Sequence, residues 1–217
     1  MRDATTSRPT GQWFIGPADG HRWWFDSGAL ALDFAYTGGM ADNGVELWRT
    51  PADLADWLTG RFEEVDATTT DRDLTDALAL RSAIARIATG ISRSENPAGE
   101  DIDVLNLFAA TPDIPPMLAG GRRQAGRTRA RAAQALSEIA RGAIELFAAG
   151  ERDRIRECAA EDCRIVFADD SRSNNRRWCS MQRCGNRAKV RAHRAKTSTG
   201  SIGDDQSTTR TSFQNAT

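Results

Sequence analysis

All four cysteines of this chain lie in one short window near its C-terminal end. They form two equal pairs, Cys158-x4-Cys163 and Cys179-x4-Cys184, with 15 residues between the pairs. Two close pairs joined by a short loop are typical of sites in which four thiolates hold one zinc ion tetrahedrally. Unrelated buried or reactive thiols would be scattered, whereas the first 157 of the 217 residues contain no cysteine. The spacing therefore predicts one Zn²⁺ bound by these four residues.

We expect this zinc ion to be structural. Four protein thiolates leave no coordination position for the water or substrate that a catalytic zinc binds. The segment around the cysteines, residues 151–196, also has few large apolar residues. A metal commonly replaces the missing core in a module of this size. The alternative is a thiol switch, in which oxidation of the same cysteines is the signal.

The net charge of −1 conceals an uneven distribution along the chain. Residues 1–120 carry 9 Lys and Arg against 19 Asp and Glu, a balance of −10, whereas residues 151–196 carry 13 against 7. Within the latter segment, residues 171–196 contain nine Lys and Arg and no acid. Such asymmetry is typical of a polyanion-binding end attached to a domain with another task.

The N-terminal part begins with polar residues 1–12, which we expect to be loosely ordered, and continues with an aromatic-rich stretch. Apolar residues then recur with period two, at Leu30, Leu32, Phe34 and Tyr36. This alternation suits a β-strand, although the alanines between these residues allow a helix as well.

Helical signals dominate the residues that follow. Thr50, Pro51 and Asp53 supply a capping residue, a proline at the first helical position and the acid of a capping box. Apolar residues three and four apart predict further helices over about 71–89, 100–110 and 128–149, with Gly90 ending the first of them.

These patterns predict a mainly α fold with a minor β component, in which a helical N-terminal domain precedes a small C-terminal four-cysteine zinc finger. We place the helical domain at residues 1–150 and the finger at residues 151–196. Residues 197–217 are rich in Ser and Thr and almost free of apolar side chains, so we expect a disordered tail there.

Several short motifs surround the cysteines. The last cysteine begins the tetrapeptide Cys184-Gly185-Asn186-Arg187, and further elements are Phe167-x-Asp169-x-Ser171, Arg177-Trp178-Cys179-Ser180 and Lys189. With these elements, residues 156–196 closely resemble the CGNR zinc finger, a family named after that tetrapeptide. The resemblance implies a metal-binding finger and favours DNA over RNA as its partner.

A second resemblance concerns the N-terminal part. The stretch from Leu30 to Thr37, which reads LALDFAYT, is similar to the hallmark of the ABATE domain. That family usually has Asn where this sequence has Tyr36. In the family, a predominantly helical ABATE domain precedes the CGNR finger, and its members are described as stress-induced transcriptional regulators. The resemblance therefore implies a regulator of transcription.

A basic face is expected on the finger. If residues 181–196 form a helix, Arg183, Arg187, Arg191 and Arg194 fall within one arc of about 80°. Met181, Cys184 and nearby alanines then occupy the adjacent arc, which we expect to face the zinc. We therefore predict that nucleic acid is contacted by the basic residues of this segment, namely Arg172, Arg176, Arg177, Arg183, Arg187, Lys189, Arg191, Arg194 and Lys196.

A second arginine cluster precedes the helix predicted over 128–149. It is either a further binding site or a flexible basic loop, and its members are Arg122, Arg123, Arg127, Arg129 and Arg131. Cations at the start of a helix oppose the helix dipole, so their placement there costs stability.

The leading functional hypothesis is a transcriptional regulator with an acidic sensor or effector domain and a DNA-binding finger. Two alternatives are an RNA- or ribosome-associated adaptor and a stress sensor whose thiols or zinc are the input. An enzyme is not expected, because the chain has only two histidines and lacks G-x-S-x-G, H-E-x-x-H and a phosphate-binding glycine loop. The sequence also shows neither a membrane span nor a secretory signal, so we expect a cytoplasmic protein without membrane contacts.

Overall fold

The computed structural model describes residues 9–15, 22–38, 40, 46–116 and 129–199. The chain divides into two compact units, the first ending at Cys179 and the second beginning at Ser180. Of the second arginine cluster, Arg122, Arg123 and Arg127 lie outside the described residues. So do residues 1–8 of the polar N-terminal stretch and residues 200–217 of the predicted tail.

The first unit is helical with two short antiparallel hairpins among its described residues. Its elements are β1 (Gln12–Ile15), β2 (Arg22–Phe25), α1 (Leu30–Ala35), α2 (Pro51–Thr59), α3 (Asp71–Ser92), α4 (Gly99–Ala109), α5 (Ala132–Phe147), β3 (Ile155–Glu157) and β4 (Val166–Ala168). β1 pairs with β2 and β3 pairs with β4. The predicted mainly α fold with a minor β component is confirmed.

The second unit contains α6, which spans Asn186–Thr199. One wide helical turn, Met181–Gly185, leads directly into it, and the Ser180 side chain caps this turn by accepting a hydrogen bond from the Arg183 N–H. The helix predicted over 181–196 is therefore present. It extends to Thr199, into the segment that we expected to be a tail.

The starts of α2 and α3 follow from local sequence. Thr50 and Thr70 each accept a hydrogen bond from the N–H three residues on, and Asp53 and Asp73 complete the two capping boxes. Each box satisfies two of the N–H groups that a helix start leaves unpaired. The predicted start signal at Thr50, Pro51 and Asp53 is confirmed.

The end of α3 differs from the prediction. The helix continues through Gly90 to Ser92, and the Gly90 carbonyl accepts hydrogen bonds from the N–H groups of Arg93 and Glu95. Ser94, with φ of 64°, adopts the left-handed conformation that closes the helix. Gly90 was a misleading stop signal, because the left-handed position falls four residues later on a serine.

α1 decides between the two structures that the sequence left open. The apolar alternation from Leu30 suited a strand and the alanines allowed a helix. Leu30–Ala35 is helical, and every residue from Ala31 to Ala35 is buried. A helix that packs on all sides has no polar face, so its periodicity cannot be read from the sequence. The helix lies in the core of the first unit, where it contacts α3 and α5.

A buried carboxylate fastens the N-terminal hairpin to α1. Asp33 is fully buried, and its side chain accepts hydrogen bonds from the Gly11 N–H at 2.5 Å and the Ser27 hydroxyl at 2.6 Å. Burial raises the pKa of Asp33 to about 6, although both hydrogen bonds oppose this shift. These bonds satisfy a polar group that would otherwise be costly to place in a core.

The hairpin β3–β4 contacts α3 and is hydrogen-bonded to residues on either side of α1. The Tyr36 hydroxyl donates to the Val166 carbonyl at 2.8 Å and accepts from the Val166 N–H at 2.7 Å. The Ser27 carbonyl accepts from the Ala168 N–H at 2.8 Å. Gly28, with φ of 81°, lies so close to Ala168 that a Cβ there would collide with the Ala168 carbonyl oxygen. β4 is thus held by the turn before α1 and by the residue that follows α1.

Because Tyr36 is buried, the first unit should lose stability at alkaline pH. Burial raises the pKa of Tyr36 well above its ordinary value. Since the unfolded chain ionises this group near pH 10 and the folded chain does not, stability is unaffected by it below about pH 10 and falls as the pH rises further. Tyr36 is the only tyrosine, so tyrosinate absorbance should appear together with unfolding in an alkaline titration. Tyrosinate formed while circular dichroism still reports the folded state would contradict this expectation.

Candidate metal centre

The four cysteines converge on one point. Their sulfur atoms all lie within 4.8 Å of one another, and three of the four residues are buried, with Cys163 partly exposed. The sulfurs of Cys163 and Cys179 are 3.7 Å apart. A tetrahedral zinc with bonds of about 2.3 Å separates its ligand sulfurs by about 3.8 Å. The cluster therefore has the spacing that one tetrahedral zinc ion requires.

The first pair of cysteines lies on the turn between β3 and β4. The Cys158 N–H donates to the Ile165 carbonyl at 2.8 Å, which closes the hairpin just beyond the last pair of β3. Within the turn, the Cys163 N–H donates to the Ala160 carbonyl at 2.9 Å. The two thiols therefore reach the same side of a tight turn, as the x4 spacing predicted.

Cys179 is brought to this turn by the chain that returns after β4. The Ala159 N–H donates to the Arg177 carbonyl at 2.9 Å, and the Cys179 N–H lies 3.4 Å from the Cys158 sulfur. Hydrogen bonds from backbone N–H groups to sulfur are common support for a thiolate, because they stabilise its negative charge. The fourth ligand, Cys184, lies in the wide helical turn that precedes α6.

Electrostatics explain why such a cluster binds a cation. Hydrogen bonds from the thiols of Cys163 and Cys179 hold the pKa of Cys158 far below that of an ordinary thiol. The bond to Cys158 raises the pKa of Cys163, and bonds to Cys158 and Cys163 raise the pKa of Cys179. A thiolate at one sulfur therefore disfavours a thiolate at its neighbours. A divalent cation removes this conflict, since it is attracted to every thiolate at once.

The donor set also indicates which ion is bound. Four soft thiolates in a compact tetrahedral arrangement suit Zn²⁺, whereas magnesium and calcium prefer oxygen ligands. A bound zinc would supply structural cross-linking of two cysteine pairs that are otherwise joined by a loop. The prediction of one structural zinc held by Cys158, Cys163, Cys179 and Cys184 is confirmed by this geometry.

Comparisons with known protein families agree with this centre. The family model of the CGNR zinc finger matches residues 154–197. The ABATE model, described as "Putative stress-induced transcription regulator", matches residues 28–150, more than half of the chain.

The chain belongs to the ABATE family. Both resemblances inferred from the sequence are therefore confirmed, with the ABATE domain preceding its CGNR finger. A search of curated proteins found no match to this ABATE protein. Neither family description names a catalytic activity. Among the helices in the described part of the chain, none has both the length and the apolar character needed to cross a membrane.

The ABATE hallmark has a structural explanation in this chain. Within the matched LALDFAYT stretch, Asp33 anchors the N-terminal hairpin and Tyr36 holds β4 by both polar groups of Val166. The sequence interpretation did not assign either role. A single acid inside an apolar run was the available signal for Asp33, because a buried carboxylate needs specific partners.

The predicted nucleic-acid contacts are not equivalent in the structure. Lys189, Arg191 and Arg194 are exposed on α6, and Arg172 and Arg177 are exposed in the loop before Cys179. Arg183 and Arg187 are partly exposed, and the side chain of Lys196 lies outside the described residues. The five exposed residues are therefore the predicted contacts that are most accessible to nucleic acid.

Arg176 serves the loop around the cysteines. Its guanidinium donates to the carbonyls of Trp178 at 3.1 Å, Cys179 at 2.5 Å and Asp26 at 3.2 Å. The same group lies over the ring of Phe167, 4.4 Å from its centroid. Because its donors bind these carbonyls, Arg176 fixes the backbone conformation of the loop that leads to Cys179.

Asp169 organises the same loop. It is fully buried, and its carboxylate accepts from the Ser171 N–H at 3.0 Å and the Arg176 N–H at 2.7 Å. The Ser171 hydroxyl donates to it as well. These bonds hold the pKa of Asp169 below its usual value against the opposing effect of burial. The matched motif Phe167-x-Asp169-x-Ser171 is thus a loop-forming element behind the metal centre.

Proposed function

We propose that this ABATE protein is a transcription regulator that binds DNA through its C-terminal zinc finger. The observation that carries the proposal is a long exposed helix next to a metal ligand, in a segment with nine basic residues and no acid over 171–196. The acidic helical domain would then act as the sensor or effector part. We place this activity in the cytoplasm, where thiolates stay reduced and can hold zinc.

The dimensions of α6 suit a DNA groove. Its 14 residues span about 21 Å, and a helix of this diameter enters the major groove. Arg191 and Arg194 are three positions apart, so their side chains emerge on one face of the helix. Both are exposed, as is Lys189. These residues can neutralise several phosphates along one strand, which is the main source of affinity for DNA.

The charge distribution supports a division of tasks within the chain. Residues 1–120 carry a balance of −10, and such a surface repels a phosphate backbone at low salt. DNA therefore approaches the finger and avoids the helical domain. The regulatory signal would be received in the helical domain, which is the part matched by the model of transcription regulators.

The proposal predicts that the paired arginines of α6 carry DNA affinity. The double variant Arg191→Gln/Arg194→Gln should bind every duplex more weakly, because two phosphate contacts are lost. Plotted as log affinity against log salt, the slope should fall by about 0.9 for each lost contact. If one arginine reads a guanine instead, its loss should cost about 1 to 3 kcal/mol at a single base position.

The measurement compares specific and random duplexes over a series of salt concentrations, with one zinc per chain verified in each sample. The matched control is Arg49→Gln/Arg72→Gln, which removes two charges from exposed side chains of the helical part. This control should leave the slope unchanged. Unaltered affinity and slope in the α6 variant would disprove DNA binding by α6. Tighter binding to RNA than to DNA duplexes would favour the adaptor function.

A further inference from the structure

The arginine of the Cys-Gly-Asn-Arg tetrapeptide contacts a metal ligand. Its Nη2 atom lies 3.2 Å from the sulfur of Cys184, within hydrogen-bonding distance of a sulfur acceptor. The Arg187 side chain is partly buried, whereas Arg191 and Arg194 on the same helix are exposed. We propose that Arg187 is a positioning residue of the zinc centre, which orients Cys184 and stabilises its thiolate. This role goes beyond DNA binding and does not require it.

The negative charge of a zinc ion with four thiolate ligands explains why a cation lies beside it. One Zn²⁺ bound by four thiolates has a net charge of −2. Three of the four cysteines are buried, and an uncompensated charge is expensive to bury. Arginine stays protonated at any physiological pH and offers planar N–H donors. A guanidinium against one sulfur therefore offsets part of the charge at the place where it is concentrated.

The local backbone creates this contact. Cys184 and Arg187 are three positions apart along a continuous helical stretch, so their side chains are neighbours on its surface. The wide turn ending at Gly185 places the Cys184 and Gly185 N–H groups on the same acceptor, the Ser180 carbonyl, at 3.0 Å each. In the tetrapeptide, Cys184 is thus the metal ligand and Arg187 is its charge partner, and the two residues between them continue the helix.

This assignment differs from the sequence prediction, which placed Arg187 with the nucleic-acid contacts. The N–H group donated to the Cys184 sulfur is not available to a phosphate at the same time. Partners in this position are known to affect a metal site strongly, and removing one commonly weakens metal affinity by about 10- to 100-fold. The two roles therefore make different predictions for zinc affinity in the absence of nucleic acid.

The test is the zinc affinity of the full chain carrying Arg187→Gln, measured by competition with a chelator and without nucleic acid. Affinity should fall by about 10-fold or more relative to the unaltered chain. Arg194→Gln removes the same charge from an exposed position of the same helix and should leave zinc affinity unchanged. Arg187→Lys keeps the charge without the planar donor group and should fall between these two.

Cobalt provides a second measurement that separates the proposal from misfolding. Each variant is saturated with Co²⁺, and the sulfur-to-cobalt charge-transfer absorption reports how many thiolates bind. Retained four-thiolate absorption with weakened affinity supports the proposal, and so does selective loss of one thiolate in Arg187→Gln. Zinc affinity of Arg187→Gln equal to that of the unaltered chain overturns it. A DNA-binding failure of the α6 variant would leave this result untouched.

Discussion

Replacing Cys179 by serine should abolish zinc binding. Cys179 is 2% exposed and its sulfur lies within 4.8 Å of all three partner sulfurs, so no water can replace it without opening the cluster. A serine hydroxyl remains protonated at neutral pH and is a poor zinc ligand. Zinc binding at such sites contributes on the order of 10 kcal/mol to folding. Most of this contribution should be lost from the C-terminal segment.

Metal analysis after dialysis against a chelator should find one zinc in the unaltered chain and none in Cys179→Ser. Because β4 is also held by Ser27 and Tyr36, which do not bind the metal, the helical domain should keep its structure. Circular dichroism should show mainly the loss of α6. Ser173→Ala, an exposed change in the same loop, should retain zinc. A metal-free variant whose C-terminal segment stays fully folded would refute the structural role of zinc.

Replacing Tyr36 by phenylalanine should destabilise the first unit by about 2 to 6 kcal/mol. The hydroxyl satisfies both the N–H and the carbonyl of Val166, which is 1% exposed. Each buried group left without a partner costs about 1 to 3 kcal/mol. The ring itself should stay in place, because it packs edge-on against Phe14 and Phe25.

Denaturant unfolding measures this loss, and metal analysis accompanies it. The four ligands are untouched, so Tyr36→Phe should still bind one zinc per chain. Ser173→Ala, which removes an exposed hydroxyl, should change stability by less than about 0.5 kcal/mol. Equal stability of Tyr36→Phe and the unaltered chain would show that β4 does not depend on Tyr36.

Local signals in the sequence predicted local structure well. The two cysteine pairs predicted the metal centre because two close pairs joined by a short loop are typical of four-thiolate zinc sites. The capping residue Thr50 predicted the start of α2 because the bonds of a capping box form within four residues. The end of α3 was missed, because Ser94 rather than Gly90 adopts the left-handed conformation there.

Tertiary context decided the rest. The sequence left α1 open between a strand and a helix, because neighbours bury every side of it and no sequence period reports such burial. On the finger, Met181 was expected to face the zinc but is 53% exposed. The wide turn at Met181–Gly185 adds a residue to the helical period and shifts the phase of the faces predicted with a regular helix. The roles of Arg176 and Arg187 depend on which acceptors lie beside them.

The hydrogen bonds between Tyr36 and Val166 affect how this protein folds during its synthesis on the ribosome. The two residues are 130 positions apart, so α1 leaves the ribosome long before its partner strand exists. At usual rates of synthesis the wait is on the order of 10 seconds. During this time the Tyr36 hydroxyl lacks both of its Val166 partners. The first unit therefore completes its contacts around Tyr36 only after the β3–β4 hairpin at the start of the zinc finger has been translated.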